Sequence, residues 1–246
     1  GLDLNQRTLT ISNGLTSSIS RTSGYVISEY NAATNTSKLQ WNIGANTGAH
    51  IFPFGTTDGY YIPVTFNNSL NVGNVTIATR ATGSDNTPWA TGVTNMNLLS
   101  TGTDGSISSV IDRWWNIDVT TPQPSSISLS YLGRENTMAT PTDEIALQHW
   151  TGSTWNDGNG GISGTYTSTG STGGTISTTT YTVSASVNSF SPFILISKNN
   201  GPLPVEFLSF DAKCNGNKNL ITWQTASETN NQGYSIEKSH NSIDWE

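Results

Sequence analysis

The stretch Val-Ile-Asp-Arg-Trp-Trp-Asn-Ile-Asp-Val, residues 110–119, decides the fold. Successive side chains of a β-strand point to opposite faces of the sheet, so this stretch has two faces. One face is predicted to line the core and carries Ile111, Arg113, Trp115, Ile117 and Val119. The other is predicted to be the polar side and carries Asp112, Trp114, Asn116 and Asp118. Because a lone buried charge is costly, Arg113 is expected to have a buried or half-buried carboxylate partner.

Strand patterns continue on both sides of this stretch. They cover residues 38–43, 60–66 and 74–79 before it, and residues 126–132, 144–150, 175–187 and 190–197 after it. These runs are rich in Thr, β-branched and aromatic residues, which favour strands, whereas the Gly and Asn between them favour turns. No long window accumulates helix formers. We therefore predict an all-β protein built on a β-sandwich or jelly-roll-like domain.

The segments between these patterns are predicted to be loops and turns. Residues 81–109 and residues 156–174 are predicted as long loops, the second one rich in Gly, Ser and Thr. The apolar residues 50–55, HIFPFG, are predicted to form a turn. Trp150 and Trp155 flank a predicted hairpin turn.

The composition excludes several classes of function. Only 11% of the residues are charged, against roughly 25% in ordinary soluble domains, yet 8 Trp, 8 Tyr and 7 Phe argue against disorder. The net charge is −7 and the 10 Lys and Arg are scattered, so we expect no nucleic-acid partner. No apolar run approaches the roughly 20 residues of a membrane helix, so membrane insertion is not expected. Cys214 is the single cysteine, which precludes an intrachain disulfide.

The clearest linker is NNGPLP, residues 199–204, because it combines Gly and two Pro after a complete strand pattern. The sequence before it divides into lead-in strands over residues 1–30 and a β-sandwich domain over residues 31–198. The lead-in strands are either a sandwich edge or the end of a β-solenoid. A new strand pattern covers residues 205–246. Both ends read as cuts, so we expect a piece of a longer polypeptide.

The segment after the linker reads LPVEFLSF at 203–210, LITWQTASETNN at 220–231 and YSIEKS at 234–239. This wording resembles the fibronectin type III-like module of secreted and cell-surface Bacteroidetes proteins that are exported by the type IX secretion system. The resemblance implies an immunoglobulin-like sandwich, export, and an extracellular or cell-surface location. It is looser before the linker, where WNIG at 41–44 and DRWWNI at 112–117 are similar to phrases of such surface proteins.

About three of the roughly seven strands of such a module are present in residues 205–246. The spacing predicts core positions for three pairs of residues, namely Phe207 and Phe210, Leu220 and Trp223, and Tyr234 and Ile236. Three strands alone would expose an unpaired edge and half a core. We therefore expect this half-module to need further strands or a neighbouring molecule.

No catalytic site, cofactor or zinc site is predicted. The three histidines, His50, His149 and His240, are not closely spaced with Cys214 or with one another, and no Gly-x-Ser-x-Gly elbow occurs. Asp112 and Asp118 share a strand face but lie roughly 20 Å apart, too far to act as a glycosidase pair. For Asn156-Asp157-Gly158-Asn159-Gly160 a calcium loop and a plain turn both stay open, because the terminal bidentate Glu is missing.

Exposed tryptophans are the remaining candidates for ligand binding, since aromatic platforms bind sugars. Trp89 in the 81–109 loop is the foremost candidate, followed by Trp114 and by Trp155 beside its turn. The competing interpretation is core or turn packing, because Trp usually buries a large area.

These observations predict a non-enzymatic structural or adhesive segment of a secreted or cell-surface bacterial protein. Its expected partners are other copies of itself or neighbouring surface proteins, and strand complementation could assemble it into an extracellular polymer. The alternatives are a carbohydrate-binding module of a larger secreted protein, with glycans as partners, and a fragment of a secreted glycoside hydrolase.

Overall fold

The computed structural model describes residues 1–29, 37–96, 109–138, 145–157, 167–169, 177–197, 207–216, 218–225, 234, 238 and 239. The chain divides into two units, Gly1–Asn200 and Gly201–Glu246. The strands described in the first unit are β1 (Leu2–Asp3), β2 (Thr8–Ile11), β3 (Val26–Ile27), β4 (Lys38–Gly44), β5 (Gly48–Phe52), β6 (Val64–Asn68), β7 (Gly73–Ala81), β8 (Val110–Val119), β9 (Ser125–Leu132), β10 (Ile145–Trp150), β11 (Trp155–Asp157), β12 (Thr167–Thr169), β13 (Thr180–Val187) and β14 (Pro192–Ser197).

Two sheets form the body of the first unit. One has seven strands in the order β11-β10-β14-β8-β7-β4-β2, and the other has five in the order β12-β13-β9-β6-β5. After β4 the chain passes from one sheet to the other at β5, β7, β9, β10, β12 and β14. The inner side chains of both sheets pack into one hydrophobic core that includes Trp41, Phe66, Trp115 and Leu129. The all-β sandwich prediction is therefore confirmed.

The predicted lead-in segment contributes to this unit. Strand β2 pairs in parallel with β4 and lies at one edge of the seven-stranded sheet. Strands β1 and β3 form a separate parallel pair. Alternation along β4 is as the sequence indicates, with Leu39, Trp41 and Ile43 fully buried.

Two predicted loops contain strands. The predicted turn at residues 50–55 is wrong in its first half, because β5 runs through Phe52 and pairs antiparallel with β6. Its alternation is hidden in the sequence, since Ile51 is apolar yet 48% exposed at the sheet edge. Within the predicted loop 156–174, β12 pairs with β13 although Thr-Ser-Thr carries no apolar pattern.

The prediction of a polar face for β8 is also wrong. Residues from Val110 to Ile117 are buried on both faces, so Asp112, Trp114 and Asn116 are covered as well. The cause is that residues 82–96 cover the outer face of β8, which lies between β14 and β7 in the middle of the larger sheet. A second cluster of apolar side chains packs on the outer side of this sheet, and Trp114 belongs to it.

The structure contains the predicted carboxylate partner of Arg113, and two carboxylates, not one, fill this role. Glu135, in a 3-10 turn at Gly133–Glu135, accepts hydrogen bonds from Arg113 Nε at 3.0 Å and Nη2 at 2.6 Å. Glu29 accepts a third at 2.5 Å, and Thr79 Oγ1 accepts one from Nη1 at 3.1 Å. Burial alone would lower the pKa of Arg113, but the charges and hydrogen bonds of Glu135 and Glu29 raise it above its usual value.

The second unit is described as an antiparallel ribbon of β15 (Phe207–Asn215) and β16 (Lys218–Thr225). Phe210, Leu220 and Trp223 were expected in a core, but they are 65%, 51% and 37% exposed. The physical reason is that no second sheet covers the ribbon among the described residues. Tyr234 packs edge-on against Trp223 and is itself 37% exposed. The side chains of Phe207 and Ile236 lie outside the described part of the chain.

No helix among the described residues has the length and apolar character needed to cross a membrane.

The charge cluster around Arg113 yields a first prediction. Glu135→Gln leaves a fully buried guanidinium with one carboxylate instead of two, so we expect the free energy of unfolding to fall by about 3 kcal/mol. Urea unfolding measures this change. The matched control is Asp58→Asn, which breaks the half-exposed pair with Arg134 and is expected to cost less than about 1 kcal/mol. Equal effects of the two substitutions would contradict the assignment.

Candidate functional site

The tryptophans proposed from the sequence lie together on the outer side of the seven-stranded sheet. Trp114 projects from β8 and Trp155 begins β11, while Trp89 comes from the segment that follows β7. All three line one cavity. They share it with Ile194 of β14 and Met96.

Residues 82–96 cover this part of the sheet, and two indole N–H groups of the sheet hydrogen-bond to this segment. Trp114 Nε1 donates to the carbonyl of Pro88, and Trp155 Nε1 donates to the carbonyl of Asn95, each at 3.0 Å. Within the segment, Ala90 is buried in the tryptophan cluster, and Val93 and Met96 pack against the same cluster. The segment thus has an apolar underside of its own, which the polar composition of residues 81–87 does not indicate.

The cavity between this segment and the sheet has a volume of about 20 Å³. That is room for about one water molecule, and far below the roughly 300–1,000 Å³ of pockets that hold small molecules. Two of its polar atoms, Trp89 Nε1 and Thr82 Oγ1, are buried without a hydrogen-bond partner in the described part of the chain. The arrangement is a nearly closed aromatic cluster with two unused hydrogen-bonding groups.

The expectation of exposed tryptophan rings is not met at two of the three positions. Trp114 and Trp155 are 4% and 2% exposed, and only Trp89 is half-buried. Trp150 and Trp155 meet edge to face at 64° and therefore present no coplanar surface. Packing, the competing interpretation, describes Trp114 and Trp155. A ligand role for the three residues stays a prediction.

An acidic group lies at the margin of this cluster. Asp112 accepts a hydrogen bond from Thr137 Oγ1 at 2.9 Å and a longer one from Asn86 Nδ2 at 3.4 Å. The pKa of Asp112 is raised to about 7, chiefly by burial and in smaller part by the nearby charges of Glu135 and Asp85, and the Thr137 hydrogen bond offsets part of this rise. Asp112 thus joins residues 82–96 to the segment after β9 through a carboxyl group that titrates near neutrality.

Sequence reasoning missed one close pair of reactive side chains. The hydroxyl of Ser191 lies 2.7 Å from His149 Nε2, although 42 positions separate them, and it also contacts the Trp150 carbonyl. Burial lowers the pKa of His149, and a hydrogen bond to the backbone of Phe190 raises it in part. No carboxylate bonds the imidazole within the described residues, so the third member of a nucleophilic triad is not seen there.

The remaining chemical candidates are dispersed. His50 is buried, with its ring nitrogens 3.1 Å and 2.9 Å from the carbonyls of Gly48 and Gly14. Cys214 is exposed on β15. His240 and residues 158–160 of the calcium candidate lie outside the described residues. Within those that are described, no three His, Cys, Asp or Glu side chains gather as a metal site.

Comparison of the chain with protein-family models, with curated proteins and with solved structures finds no match.

Two indoles that differ in hydrogen bonding and in burial test the cluster. Trp155→Phe removes the N–H that binds the Asn95 carbonyl, whereas Trp89→Phe removes an N–H that has no partner among the described residues. Because Trp155 is also the more buried ring, the lost hydrogen bond adds to the lost burial, and Trp155→Phe should be more costly by at least about 1–2 kcal/mol. Chemical unfolding monitored by circular dichroism measures both. An equal or reversed order of the two losses in stability would show that residues 82–96 are held in another way.

Asp112 generates a prediction about pH. Its pKa in the folded protein, about 7, lies above its usual value of 3.8. The folded state therefore binds this proton more tightly than the unfolded state, and stability declines as pH rises between these values. Above about pH 7 the loss is complete.

Asp112→Asn keeps the size of the side chain and cannot ionise. We expect the variant to be more stable than the wild type at pH 8 and to lose this difference at pH 4, as measured by urea unfolding at both values. The comparison between the two proteins removes the contribution of His149, which acts in the opposite direction. A difference that does not change with pH would contradict the assigned pKa.

Proposed function

We propose that the chain is a non-enzymatic structural and adhesive segment of a secreted or cell-surface bacterial protein. The observation that carries this proposal is the exposed apolar face of the β15–β16 ribbon. Phe210 pairs directly with Trp223, so both side chains lie on one face, and they are 65% and 37% exposed. Ile221 lies on the same face, opposite Ala212.

A two-stranded ribbon is at best marginally stable in water unless further strands or another layer cover its hydrophobic face. Contiguous exposed apolar surface of this kind marks interaction sites. An added strand would gain main-chain hydrogen bonds at a ribbon edge and bury the face at the same time. These properties support association through the second unit, with another copy of the chain or with a neighbouring surface protein.

The properties of the first unit fit a structural scaffold in such an assembly. Its two sheets enclose a continuous apolar core, and its one fully buried cation is matched by Glu29 and Glu135 among the described residues. The amino-acid sequence of residues 203–239 supports export and a cell-surface location, because it resembles that of secreted Bacteroidetes proteins. In the proposed role the sandwich is the rigid body and the ribbon is the joining element.

Sedimentation velocity of the whole chain tests the proposal. We expect concentration-dependent association between about 1 and about 100 μM, the range of weak specific interfaces. The double variant Phe210→Lys/Trp223→Lys should remain monomeric, because lysine disfavours pairing at exposed strands.

The matched control is Leu15→Lys/Leu70→Lys, which places the same charges at apolar residues of the first unit that are 51% and 50% exposed. It should associate like the wild type. A wild-type chain that stays monomeric throughout the range would refute association through the ribbon, as would equal loss in the control.

A further inference from the structure

We propose that the first unit binds neutral glycans in a concavity at one end of the five-stranded sheet. The concavity forms where β6 ends, β9 begins and β13 ends, and its volume is about 390 Å³. This volume falls in the range of roughly 300–1,000 Å³ that is usual for small-molecule sites. The site lies on the sheet opposite the one that carries the tryptophan cluster.

The floor of the concavity is a row of polar side chains. Asn67 of β6 pairs with Ser126 of β9, which pairs in turn with Ser186 of β13. Directly paired residues point to the same side of a sheet, with Cβ atoms about 5 Å apart. The row is on the outer side, because the residues that alternate with it, Phe66, Ile127 and Ala185, are in the core.

Two further polar side chains border this row, Ser69 after β6 and Asn188 after β13. None of the five side chains hydrogen-bonds another protein group within the described residues, and the row itself is half-buried to exposed. Hydroxyl and amide groups offer donors and acceptors together. The concavity therefore presents at least five unused polar groups to one volume.

The chemistry of the lining selects the ligand class. Among the described residues no charged side chain lines the concavity, so an anionic or cationic ligand would lose solvation there without gaining an ion pair from them. An apolar ligand would cover hydroxyls and amides that then lack partners, at a cost. A neutral ligand rich in hydroxyl groups meets the lining amides and hydroxyls with donors and acceptors, and the C–H groups of its rings can contact Pro124 and Val187, which also line the concavity. This combination describes an uncharged saccharide.

The part of the lining that the structure describes contains no aromatic ring, so stacking on it does not contribute and weak binding is expected, with a Kd of about 1 mM or above. The inference goes beyond the proposed structural role and does not depend on it. Self-association resides in the second unit, whereas the glycan site resides in the first.

The test is a titration followed by ¹⁵N-edited NMR, with maltohexaose, cellohexaose, mannohexaose and chitohexaose as separate probes up to about 10 mM. The protein is the whole chain carrying Phe210→Lys/Trp223→Lys, so that association through the ribbon cannot produce the signal. We expect at least one probe to shift the side-chain amides of Asn67 and Asn188. Ser186→Arg, which fills the concavity with a charged side chain, should weaken that binding at least about tenfold.

The control is Ser153→Arg, which places the same side chain on an exposed turn of the other sheet. It should leave the titration unchanged. The inference is overturned if no probe shifts these amides, if the shifts are confined to the indole N–H groups of Trp89, Trp114 and Trp155, or if both arginine variants weaken binding equally.

Discussion

The first unit depends on one buried guanidinium. Arg113 lies in the middle strand of the larger sheet, and its charge is balanced by carboxylates from two distant parts of the chain, Glu29 and Glu135. Glu135 also accepts the backbone N–H of Leu132 at 2.9 Å, which anchors the end of β9 in the opposite sheet. A fully buried cation without these partners would be costly. The charge cluster therefore fixes the relative position of the two sheets and of the segment around residue 29.

The same cluster sets the environment of the neighbouring surface. Glu135 contributes to the raised pKa of Asp112, the residue that precedes Arg113 on β8. Asp112 in turn bonds Asn86 of the segment that covers the tryptophan cluster and Thr137 of the segment after β9. Strand β8 therefore contacts the opposite sheet through Arg113 on its inner face and residues 82–96 through Asp112 on its outer face. These two polar side chains are adjacent in the sequence.

Much of the sandwich follows from the sequence, because strand periodicity shows directly in residues 38–43 and 110–119. The need of Arg113 for a carboxylate also followed from physical chemistry, but the identity of Glu29 and Glu135 did not, since both are distant in sequence. Burial of Trp114 was missed because alternation indicates a polar face only when nothing covers it. Strand β12 has no apolar pattern at all, and its pairing with β13 is a tertiary effect.

The candidate sites were less predictable than the fold. Trp89, Trp114 and Trp155 were selected singly from the sequence, and their convergence on one cavity depends on the pairing of β10 with β11 and on the path of residues 82–96. The concavity at Ser126 could not be anticipated, because Ser and Asn are frequent throughout the chain and their register across three strands is not encoded locally. Phe210 and Trp223 were predicted as core residues from their spacing, but they are exposed because no second sheet covers the ribbon among the described residues.

Hydrogen exchange at the amide of Leu132 tests the central role of the charge cluster most directly, because this N–H bonds the carboxylate of Glu135. If the cluster holds the two sheets together, this amide exchanges as slowly as the amides of β8, through global unfolding alone. Exchange about a thousandfold faster than β8, through local opening, would show that the sheets are held by their apolar core without the cluster.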